Sequence, residues 1–206
     1  MQSSGQLTLG QATFPRAGLL RDAGLVLGFS LVTALFARVA VTLPFTPVPI
    51  TGQTLAVLLT GATLGSRRGV AAMLLYLGEG AAGLPVFAGG QSGLFWTLPS
   101  GGYLVGFVVA AYVVGLLAER GLDRKPWLLG VLLAGNLVIY LFGLAWLAFL
   151  IGHNWLGLYD AVPGPTVLHK TLVGGLYPFI PGDLVKICLA SLAIPSAWAA
   201  VNHWRR

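Results

Sequence analysis

Charged side chains are too scarce along this chain to cover the surface of a water-soluble domain. Asp, Glu, Lys and Arg make up 9% of the 206 residues, whereas 56% are hydrophobic. A soluble domain carries roughly a quarter charged residues. The apolar residues would instead fill about five or six bilayer crossings at roughly 20 residues each. The composition therefore predicts an integral membrane protein and excludes a soluble enzyme, a disordered chain and a nucleic-acid-binding domain.

Six apolar segments divide the chain, and short polar or glycine-rich stretches separate them. Residues 1–18 form a polar tail, expected to be irregular, without the apolar core of a secretory signal. The sequence predicts an all-α, polytopic membrane domain of six transmembrane helices over 19–206. The second segment is short, so a tilted or partly irregular span is expected there. The approximate bounds of the segments are 21–43, 51–65, 69–84, 103–117, 127–151 and 181–201.

Basic residues mark one side of this predicted domain. Nine of the twelve Lys and Arg residues flank the segments on that side, and the opposite loops hold only Lys170. Cytoplasmic loops carry such an excess of positive charge. Both termini are therefore expected in the cytoplasm of a cell-membrane protein, which requires an even number of crossings. The nine residues are Arg16, Arg21, Arg67, Arg68, Arg120, Arg124, Lys125, Arg205 and Arg206.

Three loops on the opposite, outer side are rich in Pro, Gly and aromatic residues. They span 44–53, 83–102 and 152–180. Loops with their own turn residues often line or cap a site. The sequence therefore predicts a binding site at the outer end, although loops that cover the bundle without a ligand are the alternative.

Two ionisable residues fall inside the sixth segment. Asp183 and Lys186 are three residues apart, so they share a helix face about one turn from the outer boundary. Ionisable groups in a span are costly to bury and usually functional. The alternative is an ion pair that only neutralises itself.

Neutral polar side chains add candidates. Gln53 and Gln91 lie in outer loops, Tyr103 opens the fourth segment, and Asn136 and Tyr140 share a face of the fifth. Amides donate and accept hydrogen bonds, which suits a neutral cyclic urea or amide ligand. For Asn136 a hydrogen bond between helices is equally open.

The histidines, the cysteine and the small residues of the first segment have other expected roles. No metal ion or other cofactor is expected, because the three histidines lie at or outside span ends and lack metal-ligand spacing. Cys188 is expected to be a small buried hydrophobe. Ser30, Ala34 and Ala37 form a stripe of small residues on the first segment. Such a stripe permits close helix packing, either internally or with a partner protein.

Four motifs in one order carry a resemblance to a known family. They are PVPITGQTLAVLLTG at 47–61, GLPVFAGGQSG at 83–93, PSGGYLVGF at 99–107 and FIPGDLVKICLA at 179–190. Together they resemble the BioY family, the biotin-binding S components of energy-coupling factor (ECF) transporters. The resemblance covers the chain from the first to the sixth segment and leaves out the 1–18 tail.

The resemblance implies the six-helix S-component fold, cytoplasmic termini and a biotin site near the external face. It also implies two kinds of partner, a transmembrane coupling protein and ABC-type ATPases, which are BioN and BioM or shared equivalents. The family's biotin contacts fall here on Gln91, Asp183 and Lys186. An Ala-x-x-x-Ala docking motif of the family corresponds only weakly to the Ser30, Ala34 and Ala37 stripe.

Biotin offers two urea N–H donors, a urea carbonyl, an apolar ring and a carboxylate. We expect Asp183 to accept a urea N–H while Gln91 and Lys186 satisfy the other polar atoms; an alternative pose places the ligand carboxylate on Lys186. The apolar contacts are expected from Phe87, Phe95, Trp96 and Tyr103.

Two alternatives keep the membrane fold. One is a secondary transporter that needs no ATPase, although the sequence lacks a visible inverted repeat. The other is a rhomboid-type serine protease, suggested by Gly90-Gln91-Ser92-Gly93, but the sixth segment lacks the required histidine base. Because the chain has no Walker A motif, ATP-driven uptake would draw its energy from other subunits.

Overall fold

A computed structural model describes residues 8–13, 18–124 and 126–204 of the chain. The described residues are mostly helical, with one small two-stranded sheet and three short 3-10 turns. The helices are α1 (Leu9–Thr13), α2 (Leu19–Arg38), α3 (Gln53–Leu64), α4 (Ser66–Ala81), α5 (Gly101–Glu119), α6 (Leu128–Gly152), α7 (Leu158–Ala161), α8 (Val167–Gly175) and α9 (Ile180–Trp204). The strands are β1 (Ala40–Val41) and β2 (Ile50–Thr51).

Each of the six predicted segments overlaps one of the longer helices. Four helices within the described residues, α2, α5, α6 and most of α9, are long and apolar enough to cross a membrane. The helices α3 and α4 are shorter, at 12 and 16 residues. A multi-pass helical membrane protein is therefore confirmed, and six crossings remain a prediction.

The first predicted segment ends earlier than expected. Helix α2 stops at Arg38 rather than residue 43, and Val39 leaves the helical region at φ −78° and ψ 86°. The chain then forms β1, which pairs antiparallel with β2 in the register Ala40 with Thr51. Branched side chains and the prolines that follow disfavour a continued helix here.

The N-terminal tail is not wholly irregular. Helix α1 lies within it and packs against α3 and α9, with Thr8 and Ala12 buried. A Cβ on Gly10 would lie 3.0 Å from the carbonyl oxygen of Thr63, so this glycine allows the close approach.

Helices α5 and α6 pack together along much of their length. A Cβ on Gly106 would lie 3.0 Å from the Cα of Ile139, so the absent side chain lets the two backbones approach closely. Buried apolar side chains of α3, α4, α5 and α6 form the main core around this pair. Cys188, expected to be buried, instead lies on the exposed side of α9.

One end of the bundle gathers charged contacts. Arg68 at the start of α4 bonds Asp22 of α2 at 2.9 Å, and Glu119 at the end of α5 accepts from the Ser66 backbone N–H at 2.8 Å. The Trp198 indole of α9 donates to Asp123 at 2.8 Å. This is the end predicted to face the cytoplasm. Arg16, Lys125, Arg205 and Arg206, which also support that prediction, lie outside the described residues.

Candidate ligand-binding site

A cavity lies at the opposite end of the bundle, where α3, α5 and α9 begin. Its cavity volume is about 40 Å³, so the site as it stands is a narrow cleft that a larger ligand would have to widen. The segment that contains β2 covers one side, and α6 supplies the other wall. The lining residues are Val48, Pro49, Thr51, Gln53, Thr54, Ala88, Ser100, Tyr103, Leu104, Phe107, Ile139, Tyr140, Phe179, Asp183 and Lys186.

Asp183 is the centre of polar contacts in this cavity and is 5% exposed. Its Oδ1 accepts from Lys186 Nζ at 2.8 Å and from Thr54 Oγ1 at 3.3 Å. Its Oδ2 accepts from Asn136 Nδ2 at 3.2 Å and from the Tyr140 hydroxyl. Each carboxylate oxygen therefore has two donors, and the Lys186 ammonium neutralises the charge.

The local sequence explains why Asp183 points into the bundle. Pro181 suits the first turn of α9, because it needs no hydrogen-bond partner for its nitrogen. The Asp183 backbone N–H bonds the Phe179 carbonyl at 2.9 Å, which fixes this turn. The carboxylate thus lies near the positive end of the α9 dipole and one turn before Lys186.

Gln53 lines the cavity through an amide that the protein already engages. Its Oε1 accepts from Thr51 Oγ1 at 2.7 Å, and its Nε2 donates to the Tyr76 hydroxyl at 2.5 Å. Tyr76 in turn donates to the Val86 carbonyl at 2.9 Å. The chain from Thr51 to Val86 thus connects α3, α4 and the 83–102 loop beside the cavity.

Tyr103 and Phe179 form an aromatic wall. Their rings stack with centroids 6.2 Å apart and an interplanar angle of 20°. The Tyr103 hydroxyl donates to the Gly175 carbonyl at 2.8 Å, which joins α5 to the end of α8. Tyr140 approaches Tyr103 edge-on at 6.5 Å. An apolar ring could pack against this wall.

The structure brings together five of the predicted site residues. Gln53, Tyr103, Tyr140, Asp183 and Lys186 line the cavity. Asn136 lies one turn deeper on α6 and supports Asp183, while its own Oδ1 is buried without a partner among the described residues. Both the interhelical role and a ligand contact therefore remain compatible with its position.

Four predicted residues of the 83–102 loop lie outside the cavity lining. Gln91 and Trp96 are exposed, Phe95 is half-buried and packs edge-on against Trp96, and Phe87 is buried against the Tyr76 ring. Gly89 and Gly90 both have positive φ and reverse the chain just before Gln91. This turn explains why the loop lines the cavity through Ala88 and Ser100 instead.

Several residues that contribute to the site were not predicted, and three of them contact predicted residues or Asp183 directly. Thr54 donates to Asp183, Tyr76 holds Gln53, and Phe179 stacks on Tyr103. Thr54 and Phe179 lie inside the family motifs, which was the available signal. Tyr76 had none, because its role depends on how α3 and α4 pack.

The small-residue stripe of α2 faces inward. Ser30 and Ala37 are fully buried, and Ala34 is partly buried against the core. Ser30 Oγ donates to Glu79 Oε1 on α4 at 2.8 Å. Of the two roles left open by the sequence, this placement favours internal packing.

Among the described residues, no group of three or more His, Cys, Asp or Glu side chains could hold a metal ion.

Comparison with known proteins gives one family. The sequence model of the BioY family matches residues 5–203, so the match begins well inside the 1–18 tail. The biotin transporter BioY of Rhizobium etli is 37% identical over 178 residues, which cover 78% of this chain and 88% of that protein. The biotin transporter BioY of Rhodobacter capsulatus is 42% identical over 170 residues, with 77% and 86% covered.

A solved structure shows the same fold. The crystal structure of the S-component for biotin from an ECF-type ABC transporter superposes with a TM-score of 0.70. It is 24% identical, and the match covers 85% of this chain and 89% of that chain.

Proposed function

The chain belongs to the BioY family, and from this membership we propose that it binds biotin at the outer end of the bundle and mediates biotin uptake. Its role is that of the substrate-specific subunit of an ECF transporter rather than an enzyme. The observation that carries the proposal is the ion pair of the buried Asp183 with the partly buried Lys186, in a cavity at the predicted outer end of a chain whose relatives are named biotin transporters.

The membrane topology proposed is six crossings with both termini in the cytoplasm. The short helices α3 and α4 would supply the second and third crossings, with the corner between them at the basic end. The bonds of Arg68 to Asp22 and of Ser66 to Glu119 support one common end for these helix termini.

Recognition requires the ligand to replace a donor on Asp183, because all four of its hydrogen bonds are made within the protein. The Thr54 contact is the longest, at 3.3 Å, and so is the easiest to exchange. A urea N–H of biotin would take its place on Oδ1, and the urea carbonyl would accept from Lys186. The bicyclic ring would pack against Tyr103 and Phe179.

The proposal also includes a role for Gln91 and a second pose of the ligand. Gln91 would reach the ligand only if the 83–102 loop moved toward the cavity. The alternative pose, with the ligand carboxylate on Lys186, would release Asp183 from its cation but leave three neutral donors on it.

The partners proposed are a transmembrane coupling protein and ABC-type ATPases, either BioN and BioM or shared equivalents. The chain has no Walker A motif of its own. Uptake of labelled biotin should therefore fall when the ATPase subunits are deleted. Undiminished uptake without them would favour the secondary-transporter alternative.

The binding role is tested by equilibrium titration of labelled biotin against the detergent-purified chain, with desthiobiotin and lipoate as competitors. Asp183→Asn should weaken binding at least about tenfold, or about 1.4 kcal/mol. Glu119→Gln is the matched control, since this carboxylate lies at the other end of the bundle. Equal affinity of Asp183→Asn and the unaltered chain would remove Asp183 from the site.

A further inference from the structure

A second cavity lies at the basic end of the bundle, between the α5–α6 turn and the last turns of α9. Its volume is about 320 Å³, compared with about 40 Å³ for the cleft at the outer end. The proposed recognition of biotin does not involve it. The residues that line this basic-end cavity are Asp123, Arg124, Pro195, Trp198, Ala199 and Asn202.

Arg124 brings a positive charge to the basic-end cavity. Its guanidinium carbon lies 4.5 Å from the centroid of the Trp198 ring, a cation–π contact that uses none of its five N–H donors. Among the described residues, these donors make no ion pair and no hydrogen bond. The guanidinium group therefore has its donors available for an anion that enters the cavity.

The Trp198 ring on which Arg124 packs is itself held in place. Its N–H donates to Asp123 Oδ2 at 2.8 Å, which joins α9 to the α5–α6 turn. Asp123 is buried, and burial raises the pKa of its carboxyl group. The higher pKa increases the protonated fraction of Asp123 and so reduces the negative charge that an incoming anion would meet.

The two chain segments that line this cavity are rich in basic residues. Residues 120–127 and 195–206 contain five Arg or Lys residues and one acid, Asp123. Arg120, at the end of α5, is exposed. A positive potential of this kind attracts anionic ligands. The five basic residues are Arg120, Arg124, Lys125, Arg205 and Arg206.

An exposed apolar stripe of α9 leads to the basic-end cavity. Val185, Leu189 and Leu192 are exposed and lie at spacings of four and three, so they share one face of the helix. Pro195 and Ala199, which line the cavity, continue the same series. Because α9 is a candidate span, this stripe would face acyl chains. A ligand with an anionic head and an apolar tail matches both surfaces, whereas a free phosphate ion matches only the cavity.

We propose that the basic-end cavity binds the headgroup phosphate of an anionic phospholipid, with an acyl chain along the α9 stripe. Arg124 donates to the phosphate oxygens, and the Asn202 amide supplies a further donor. Trp127, exposed at the start of α6, is of the type found at headgroup level. Basic pockets between membrane helices bind such headgroups. This site goes beyond the recognition of biotin and can be tested without that ligand.

Native mass spectrometry of the detergent-purified full chain tests the site, with phosphatidylglycerol or phosphatidylcholine as the added lipid. Each bound lipid adds a resolved mass, so the dissociation constant of the first adduct can be measured. We expect phosphatidylglycerol to bind at least about tenfold more tightly than phosphatidylcholine, and Arg124→Gln to remove most of this preference. Asn202→Ala, which keeps the Arg124 contact with Trp198, should weaken phosphatidylglycerol binding about threefold.

Arg67→Gln is the matched control, because it removes the same charge from an exposed arginine at the start of α4, outside the cavity. Its affinity for phosphatidylglycerol should stay within about twofold of that of the unaltered chain, since exposed charges outside the site are screened. Thermal unfolding checks that each variant is folded.

Four outcomes would overturn the proposal. One is equal affinity of the unaltered chain for the two lipids. Another is equal weakening by Arg124→Gln and Arg67→Gln, which would assign the binding to the charge of the whole end. Displacement of the lipid by equimolar inorganic phosphate would assign the cavity to a soluble anion. If Arg124→Gln left lipid binding unchanged but weakened assembly with the coupling protein, the cavity would be a protein interface.

Discussion

Asp183 and Asp123 are both buried, but their carboxylates differ in the hydrogen-bond donors and cations that they receive. Asp183 receives four donors, one of them a cation, so its charge is fully compensated. Asp123, in the turn between α5 and α6, is 1% exposed and accepts from the Trp198 indole at 2.8 Å. Arg124 lies over the Trp198 ring at 4.5 Å rather than on the carboxylate. Burial therefore dominates and raises the pKa of the Asp123 carboxyl above its ordinary value of 3.8.

This shift predicts how stability depends on pH. The folded chain holds the Asp123 proton more tightly than the unfolded chain, so its contribution is fully present below about pH 3.8 and is lost as the pH rises through the folded pKa. Asp123→Asn keeps an oxygen for Trp198 but cannot titrate. Its melting temperature should fall less than that of the unaltered chain as the pH is raised from about 4 to 7. Parallel curves for the two proteins would contradict the prediction.

The residues also show what the sequence could and could not predict about the site. Asp183 and Lys186 follow from helix spacing alone, because both charges sit on one face of an apolar segment. Gln91 lies outside the cavity, because its direction depends on two left-handed glycines whose effect cannot be read from a motif. Tyr76 was missed because nothing local distinguishes it from an ordinary core tyrosine.

Among the elements, the α3–α4 corner packs closely against α5. Gly65 turns the chain at φ +83°, and Gly115 of α5 lies directly beneath it. A Cβ on Gly115 would lie 2.4 Å from both Gly65 C and Ser66 N, which are backbone atoms and cannot rotate away. The sequence predicts the boundary between α3 and α4, because the second apolar segment ends at Gly65. It does not predict the close contact of this corner with Gly115, which depends on tertiary packing.

Gly115→Ala should therefore destabilise the protein, by about 1–3 kcal/mol as for other overpacked sites. Gly24→Ala on α2 is the matched control, because a Cβ there meets nothing within 4 Å. It should leave stability unchanged or raise it by up to about 1 kcal/mol through helix propensity. Thermal unfolding in detergent measures both. If the Gly115→Ala protein were as stable as the Gly24→Ala protein, the backbone of the α3–α4 corner would have to shift to accommodate the added methyl group, and the prediction would be wrong.

At the scale of the whole molecule, the two ends of the bundle differ in chemistry. The basic end holds Arg68, Glu119 and Asp123 in contacts that join helix termini. The outer end holds the cavity and the helices α7 and α8. Lys170 is buried there and donates to the Tyr159 and Val162 carbonyls, both at 2.6 Å. Charge bias predicted this asymmetry, but the short outer helices were not foreseen, because glycine-rich loops carry little periodic signal.

The asymmetry gives a test of orientation in a Cys188→Ser background, which contains no other cysteine. Trp155→Cys, in the exposed outer loop, should react with a membrane-impermeant maleimide on intact cells. Arg120→Cys, at the basic end, should react only after the cells are lysed. The reverse pattern would invert the proposed topology.

The pairing of Asp183 with Lys186 also has an electrical consequence. An empty cavity contains one negative and one positive group and is neutral as a unit. A monoanionic vitamin adds one negative charge, whichever pose it adopts. Any step that carries the loaded cavity across the bilayer would then sense the transmembrane voltage, by about 2.3 kcal/mol per 100 mV for a full crossing, while the return of the empty cavity would not.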